Sequence, residues 1–192
     1  MKKILSLIVL GFLLLYIYSC SPTNLLASGG ATTMAIAEGE RSFGTVVDDA
    51  TIKINISAKF INSEDNLFIN INTTVLEGRV LLTGIVDNQE IRIDAIRRVW
   101  EVEGVLEVLN EIQIGNKSTL KEYAKDVWIT AQAKAKATTV VGLKVVGYNF
   151  ETIQGKVYIA GITTQPKQLE ELIEIIKTIK GVKEIVNYVI VK

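Results

Sequence analysis

The sequence repeats itself. Glu77-Gly78-Arg79-Val80 returns as Gln154-Gly155-Lys156-Val157, an offset of 77 residues that needs no gap. The same offset carries Gly84-Ile85 onto Gly161-Ile162, Gly104-Val105 onto Gly181-Val182, Asn110 onto Asn187, and Asp49 with Ile52 onto Asp126 with Ile129. Glycine and turn positions held in register across a whole unit mark a duplicated structural element, and such a period constrains architecture more than any local preference. A unit of about seventy residues is marginal by itself. Two in tandem are placed to support each other.

Each copy has the same coarse pattern. A first helix is expected to begin near Asp49 or Asp126, since acids suit the orphan amides and positive dipole of a helix N-terminus. Ile52, Ile56 and Phe60 fall on one face of it, matched by Ile129, Ala133 and Ala137. Leu67, Ile69, Ile71, Thr73 and Val75 alternate as a half-buried strand, and Val80, Leu82, Gly84 and Val86 follow as its partner. Gly78 and Gly155 mark the tight turn between them, where a positive φ is easily reached only by glycine. A second helix carries Ile93, Ile96, Val99 and Trp100, or Leu169, Leu172, Ile173, Ile176 and Ile179, with Pro166 tolerated in its first turn. Gly104 and Gly181 stop it. The last strand runs through Val108, Ile112 and Ile114, or through Ile185, Val189 and Val191. The fold class is therefore α+β: two αββαβ units, each a small mixed three-stranded sheet covered by two helices on one face, with a right-handed strand-helix-strand crossover. The units are placed at 46–115 and 123–192, joined by a polar linker at 116–122. Thr119 and Glu122 have capping-box spacing, which allows the second unit's first helix to start early, near Leu120.

Ahead of the repeats, Lys2 and Lys3 precede an apolar run from Ile4 to Tyr18. The run is shorter than the roughly twenty residues that span a bilayer, so residues 1–19 read as a secretory signal. Ile17-Tyr18-Ser19-Cys20 resembles a bacterial lipobox, which implies acylation of Cys20 and a permanent membrane anchor. Ser21 in place of aspartate resembles the lipoproteins sent to the outer membrane of Gram-negative cells. Residues 20–45, rich in small and polar side chains, read as a lipidated flexible tether. Acylation uses the one cysteine of the chain, and there is no histidine. Zinc sites, Ser-His-Asp triads and Cys-His dyads are thereby excluded, and no cofactor or metal site is expected.

The αββαβ unit, with a hairpin glycine, a Val-x-x-x-Gly strand and Gly-Val before the final strand, resembles the BON domain. Two such units behind a lipobox resemble the dual BON-domain outer-membrane lipoproteins, and Arg41-Ser42-Phe43-Gly44-Thr45-Val46-Val47-Asp48-Asp49 and Asp126-Val127-Trp128-Ile129-Thr130 extend the match. The resemblance implies phospholipid binding, support of the outer-membrane barrier, a position facing the periplasm, and links to barrel-assembly or division-site proteins.

Net charge is zero over the whole chain, but it divides unevenly. Residues 46–115 hold six basic and twelve acidic side chains, whereas 123–192 hold ten basic and six acidic. An anionic bilayer attracts nearby lysines by about 1 kcal/mol each and repels acids, so the second unit is the one expected at lipid. Within it, Val127 to Ala137 contains Lys134 and Lys136 and no acid. Trp128 stands about 100° around the helix from the core position Ile129, which suits a shallow interfacial anchor. The resemblance implies lipid contact by this same helix, at Trp128 by direct match and at Lys134 by charge; Lys136 rests on charge alone. Two other readings stand beside this one: Trp128 packed against the linker or the first unit, and the two lysines as an ordinary solvated face. Alanines 131, 133 and 135 make the helix a weak wedge, so that binding should be salt-sensitive.

Other chemistry is poorly supported. Asp48-Asp49 and Glu64-Asp65 are explained by helix-start and loop roles, and Arg97-Arg98 by pairing with Glu90, Asp94 and Glu101 along a helix. The glycines lack phosphate-loop spacing, and export with an acidic first unit disfavours nucleic acid. The leading expectation is a non-enzymatic lipoprotein that binds anionic phospholipid through its second unit. The alternative is a protein-protein adaptor in envelope assembly or stress response without lipid contact beyond its anchor.

Overall fold

A computed structural model describes residues 43–116, 119–142 and 147–192. The signal segment, Cys20 and nearly all of the tether lie outside the described residues. The first unit runs α1 (Phe43–Ile61), α2 (Leu67–Asn70), β1 (Ile71–Leu76), β2 (Arg79–Val86), α3 (Gln89–Trp100) and β3 (Glu107–Ile114). The second runs α4 (Leu120–Val141), β4 (Tyr148–Ile153), β5 (Lys156–Thr163), α5 (Pro166–Lys177) and β6 (Glu184–Val191).

Each unit folds around a sheet of order β1-β2-β3 or β4-β5-β6. The hairpin is antiparallel, the strand after the crossover helix pairs in parallel, and the middle strand touches both. The equivalence of the copies extends to register: Leu82 faces Asn110 as Ile159 faces Asn187, each pair 77 residues from its counterpart. Ile52, Ile56 and Phe60 from α1 pack with Val80, Leu82, Val99 and Ile112 as one core. Ile129, Ala133 and Ala137 from α4 do the same with Val157, Ile159, Leu172 and Ile176.

Both helices of the second unit begin as the sequence indicates. Thr119 accepts the Glu122 amide (3.3 Å), Glu122 accepts the Thr119 amide (2.8 Å), and this capping box starts α4 at Leu120, inside the stretch assigned to the linker. Pro166 occupies the first turn of α5, where its missing N–H costs nothing. In the first unit α3 is capped by Asn88, whose side chain accepts the Ile91 amide at 2.9 Å.

Four expectations change. Asp49 and Asp126 do not begin the first helices: α1 starts at Phe43 and α4 at its capping box, so both acids sit inside and are buried, with no acid in the first turn of α1. Leu67–Asn70 is a helical turn rather than the start of a strand, leaving Ile69 79% exposed while Leu67 is sealed in the core. Ile93 and Trp100 point to solvent from α3, and its core contacts are Ala95 and Val99, with Ile91 and the expected Ile96 packed beside them. Finally, α3 and α5 end at Trp100 and Lys177 with right-handed caps, and Gly104 and Gly181 lie three residues beyond those caps in the turn to the last strand.

The helix-free faces of the two sheets meet. Leu76, Leu81, Tyr158 and Ala160 form a buried seam, flanked by Leu109, Ile153, Val186 and Tyr188. The central strands are thus covered on both faces, which explains why β2 and β5 are buried at seven consecutive positions instead of alternating. Polar contacts stitch the seam: Tyr188 donates to Glu111 (2.5 Å), Gln113 to the Tyr158 hydroxyl (3.3 Å), and Lys156 pairs with Glu111 (3.3 Å).

Candidate functional site

The two buried aspartates have a structural task. Asp49 accepts the amides of Glu77 and Gly78, both at 2.9 Å, and Asp126 accepts those of Gln154 and Gly155 at 2.6 and 2.8 Å. Glu77 and Gln154 hold φ of 52°, and Gly78 and Gly155 hold 74° and 83°. Two successive positive φ values make a two-residue turn of the primed kind that matches strand twist, and both of its N–H groups point inward at the carboxylate. The acid on the first helix therefore fixes the hairpin. Its pairing with the hairpin glycine, 29 residues on, is visible in sequence only as a conjunction that repeats at the 77-residue offset.

Helix α4 buries Asp126, Ile129, Ala133, Ala137 and Val141 on one side. Trp128 lies about 100° from Ile129 on a helix of 3.6 residues per turn and is 48% exposed. On one side of it lies an apolar stripe, with Leu120 84% exposed, Val127 half exposed and Ala124, Ala131 and Ala135 exposed in line with them, while the exposed Lys121 falls within about 20° of Trp128. The spacing of Leu120, Ala124, Val127, Ala131 and Ala135 is that of a second apolar stripe, opposite the core stripe. Leu120, which the capping-box spacing allows as the first helical residue, thereby joins this outward stripe, a place the sequence reading does not give it.

Lys134 and Lys136 do not lie together. Lys136 falls about 80° to one side of Trp128 and Lys134 about 120° to the other. Lys134 is exposed and Lys136 partly covered, so the lysines border the apolar face rather than form a patch. Trp128 is absent from the seam between the sheets, which is built from strand residues. The alanines divide as well: Ala133 is buried in the core, while Ala131 and Ala135 belong to the outward stripe.

The charged side chains around the end of α3 are engaged with each other. Arg97 pairs with Asp94 and with Glu101 (2.8 Å), and Arg98 with Asp94 (2.5 Å), as the helical spacing indicates, while Lys59 reaches Glu101 (2.9 Å) from α1; Glu90 joins none of these pairs. Among the described residues no helix is long and apolar enough to cross a membrane.

A tandem of αββαβ units, with one acid-clamped hairpin in each, agrees with the matches to known proteins. The BON domain model fits residues 48–116 and again 125–192. This chain belongs to the BON-domain family. Its two BON domains have similar counterparts in several curated proteins. An uncharacterized protein in the gshII 5'region of Anaplasma centrale is 42% identical over 147 residues, covering 76% of this chain and 96% of that one. The outer membrane lipoprotein DolP of Haemophilus influenzae is 29% identical over 160 residues, covering 83% and 82%. A 21 kDa hemolysin of Actinobacillus pleuropneumoniae is 30% identical over 156 residues, covering 78% of each.

Proposed function

We propose that this chain is a non-enzymatic outer-membrane lipoprotein facing the periplasm, anchored by acyl chains on Cys20, whose second BON domain binds anionic phospholipid and thereby supports outer-membrane integrity. The observation that carries this reading is the outward face of α4: Leu120, Val127 and Trp128 exposed together, with Lys134 and Lys136 along its borders. A helix apolar on two opposite sides cannot bury both within one small domain, and the outer stripe with a tryptophan and flanking lysines suits the headgroup boundary of a bilayer. The likeness to an outer membrane lipoprotein supports the location.

The stripe is narrow and largely alanine beyond Trp128, so affinity depends on the anchor and on charge together. Each lysine near an anionic surface adds about 1 kcal/mol, screened within a Debye length. On this reading the acidic first BON domain keeps clear of the bilayer and is the part that meets barrel-assembly or division-site proteins. Nucleic acid has no role.

Co-sedimentation with vesicles tests it. The chain from Ser21 onward, lacking the anchor, is expected to pellet with anionic vesicles at low salt, less so as salt rises, and little with zwitterionic ones. Equal partitioning to both vesicle types, or none at low salt, would leave the adaptor reading in its place.

A further inference from the structure

A groove of about 330 Å³ runs between the two BON domains beside the seam. Its lining is built twice. Ser57 and Lys134, Asn72 and Asn149, Thr74 and Glu151, and Leu81 and Tyr158 all line it, and each pair is separated by the repeat offset of 77 residues. Equivalent residues from both copies facing one cavity are what an approximate internal two-fold produces, and the groove exists because both copies are present. The pairs of α1 and α4 residues form its walls, and the edge strands β1 and β4 supply its floor.

Divergence between the copies has given this symmetric groove an asymmetric charge. Lys53 enters from α1 where the second copy has Thr130, Lys134 stands where the first has Ser57, and Glu151 stands where the first has Thr74. Neither Lys53 nor Lys134 forms an ion pair among the described residues. Glu151 is held by Asn72, whose side-chain amide donates to it at 2.8 Å across the domain boundary. Burial raises the Glu151 carboxyl above its ordinary value, an effect that Lys134 and the Asn72 hydrogen bond oppose and Asp126 reinforces. The groove thus holds two lysines that form no ion pair among the described residues and one partly desolvated carboxylate, toward which Lys134 already exerts a favourable charge.

We propose that this interdomain groove binds a phosphate ester bearing a primary ammonium, a phosphoethanolamine group, with Lys53 and Lys134 on the phosphate and Glu151 on the ammonium. A phosphate monoester with one ammonium carries two negative charges and one positive, the complement of two lysines and a glutamate. Charge-assisted hydrogen bonds of both signs are the strong ones in a partly desolvated cleft. The Asn72 and Asn149 side chains on the floor supply amide donors and acceptors beside both ends. The site is distinct from the outward stripe of α4 and shares only Lys134 with it.

The test uses the full lipidated chain in non-ionic detergent, titrated with O-phosphoethanolamine and, separately, with inorganic phosphate. The expected result is a saturable shift of the Asn72 and Asn149 side-chain amide signals in nitrogen-proton spectra, with phosphoethanolamine bound about tenfold more tightly than phosphate. Lys53→Ala, at an exposed position, should weaken both ligands. Glu151→Gln keeps an acceptor for Asn72 and should abolish the preference for the amine-bearing ester. No shift at either asparagine, with free ligand up to about 10 mM or with phosphatidylethanolamine vesicles, or a preference that survives Glu151→Gln, overturns the proposal. Phosphatidylethanolamine vesicles separate the sources: their headgroup is a diester with one negative charge, so shifts with vesicles alone assign the site to a lipid headgroup, and shifts with the free monoester assign it to a soluble one. Trp128→Ala should leave the free-ester titration unchanged, so failure of the groove and failure of membrane binding are read separately.

Discussion

Tyr188 donates its hydroxyl to Glu111 at 2.5 Å, and the two residues occupy the same position in successive repeats. A residue that meets its own counterpart lies on the axis relating the copies. With the paired lining of the groove, this contact shows the two BON domains associating as a symmetric dimer would, within one chain.

Tyr188 should ionise late. Burial first, and then its bond to Glu111 and that carboxylate's charge, push the phenol well above its ordinary 10.0. Because the folded state holds this proton more tightly than the unfolded chain, stability is retained below pH 10 and declines as pH rises above it. Denaturant midpoints across an alkaline series should fall less steeply in Tyr188→Phe, which itself costs about 1–2 kcal/mol at neutral pH. An unchanged slope would show that the seam does not hold Tyr188 as described.

Removing a hairpin clamp should destabilise its domain. Asp126→Ala leaves the Gln154 and Gly155 amides without their acceptor, and the Gly155 bond is buried. A loss of about 2–3 kcal/mol is expected by urea unfolding. Asp49→Ala should behave alike in the first domain. Asp126→Asn retains one acceptor oxygen and should lose less. If both substitutions at 126 prove neutral, the turn is held by its own backbone preference.

The two equivalent strand glycines should differ in tolerance. A Cβ on Gly84 would lie 2.1 Å from the Asn70 carbonyl oxygen, and its φ of +145° is itself unfavourable for a side chain. A Cβ on Gly161 would lie 2.9 Å from the Gly147 carbonyl oxygen. Gly84→Ala should therefore cost more than about 3 kcal/mol and Gly161→Ala less, about 1–3, since its backbone contact is longer and its φ is not positive. Thermal midpoints of the two variants measure the difference, and equal losses would contradict it.

Tryptophan fluorescence isolates the α4 face. Trp100 and Trp128 are both half exposed, on different domains. In Trp100→Phe the remaining indole is Trp128, whose emission should shift to the blue on adding anionic vesicles and return as salt rises. In Trp128→Ala the Trp100 emission should not move. A blue shift from Trp100 would instead assign the membrane-facing surface to the first domain.

Much of this was legible in the sequence because it depends on local chemistry repeated at a fixed offset. The hairpin glycines, the Thr119–Glu122 capping box, Pro166 at the start of α5 and the core stripe Ile129-Ala133-Ala137 each declare themselves within a few residues. The outward stripe of α4 was half legible: Trp128 stood out, but Leu120 did not. Asp49 and Asp126 read in sequence as helix starts, since an acid before an apolar face fits that role locally. Their actual partners are amides 28 and 29 residues away.

The sequence by itself determined two αββαβ units, their order of elements and the sign of charge each carries, because periodicity, turn residues and composition are properties of short segments. Tertiary structure alone decided that the sheets meet back to back, that Tyr188 finds Glu111, and that Lys53, Lys134 and Glu151 border one groove. Those facts depend on which faces remain uncovered after each unit has folded. A strand such as β2, buried on both sides, does not encode which neighbour covers each side.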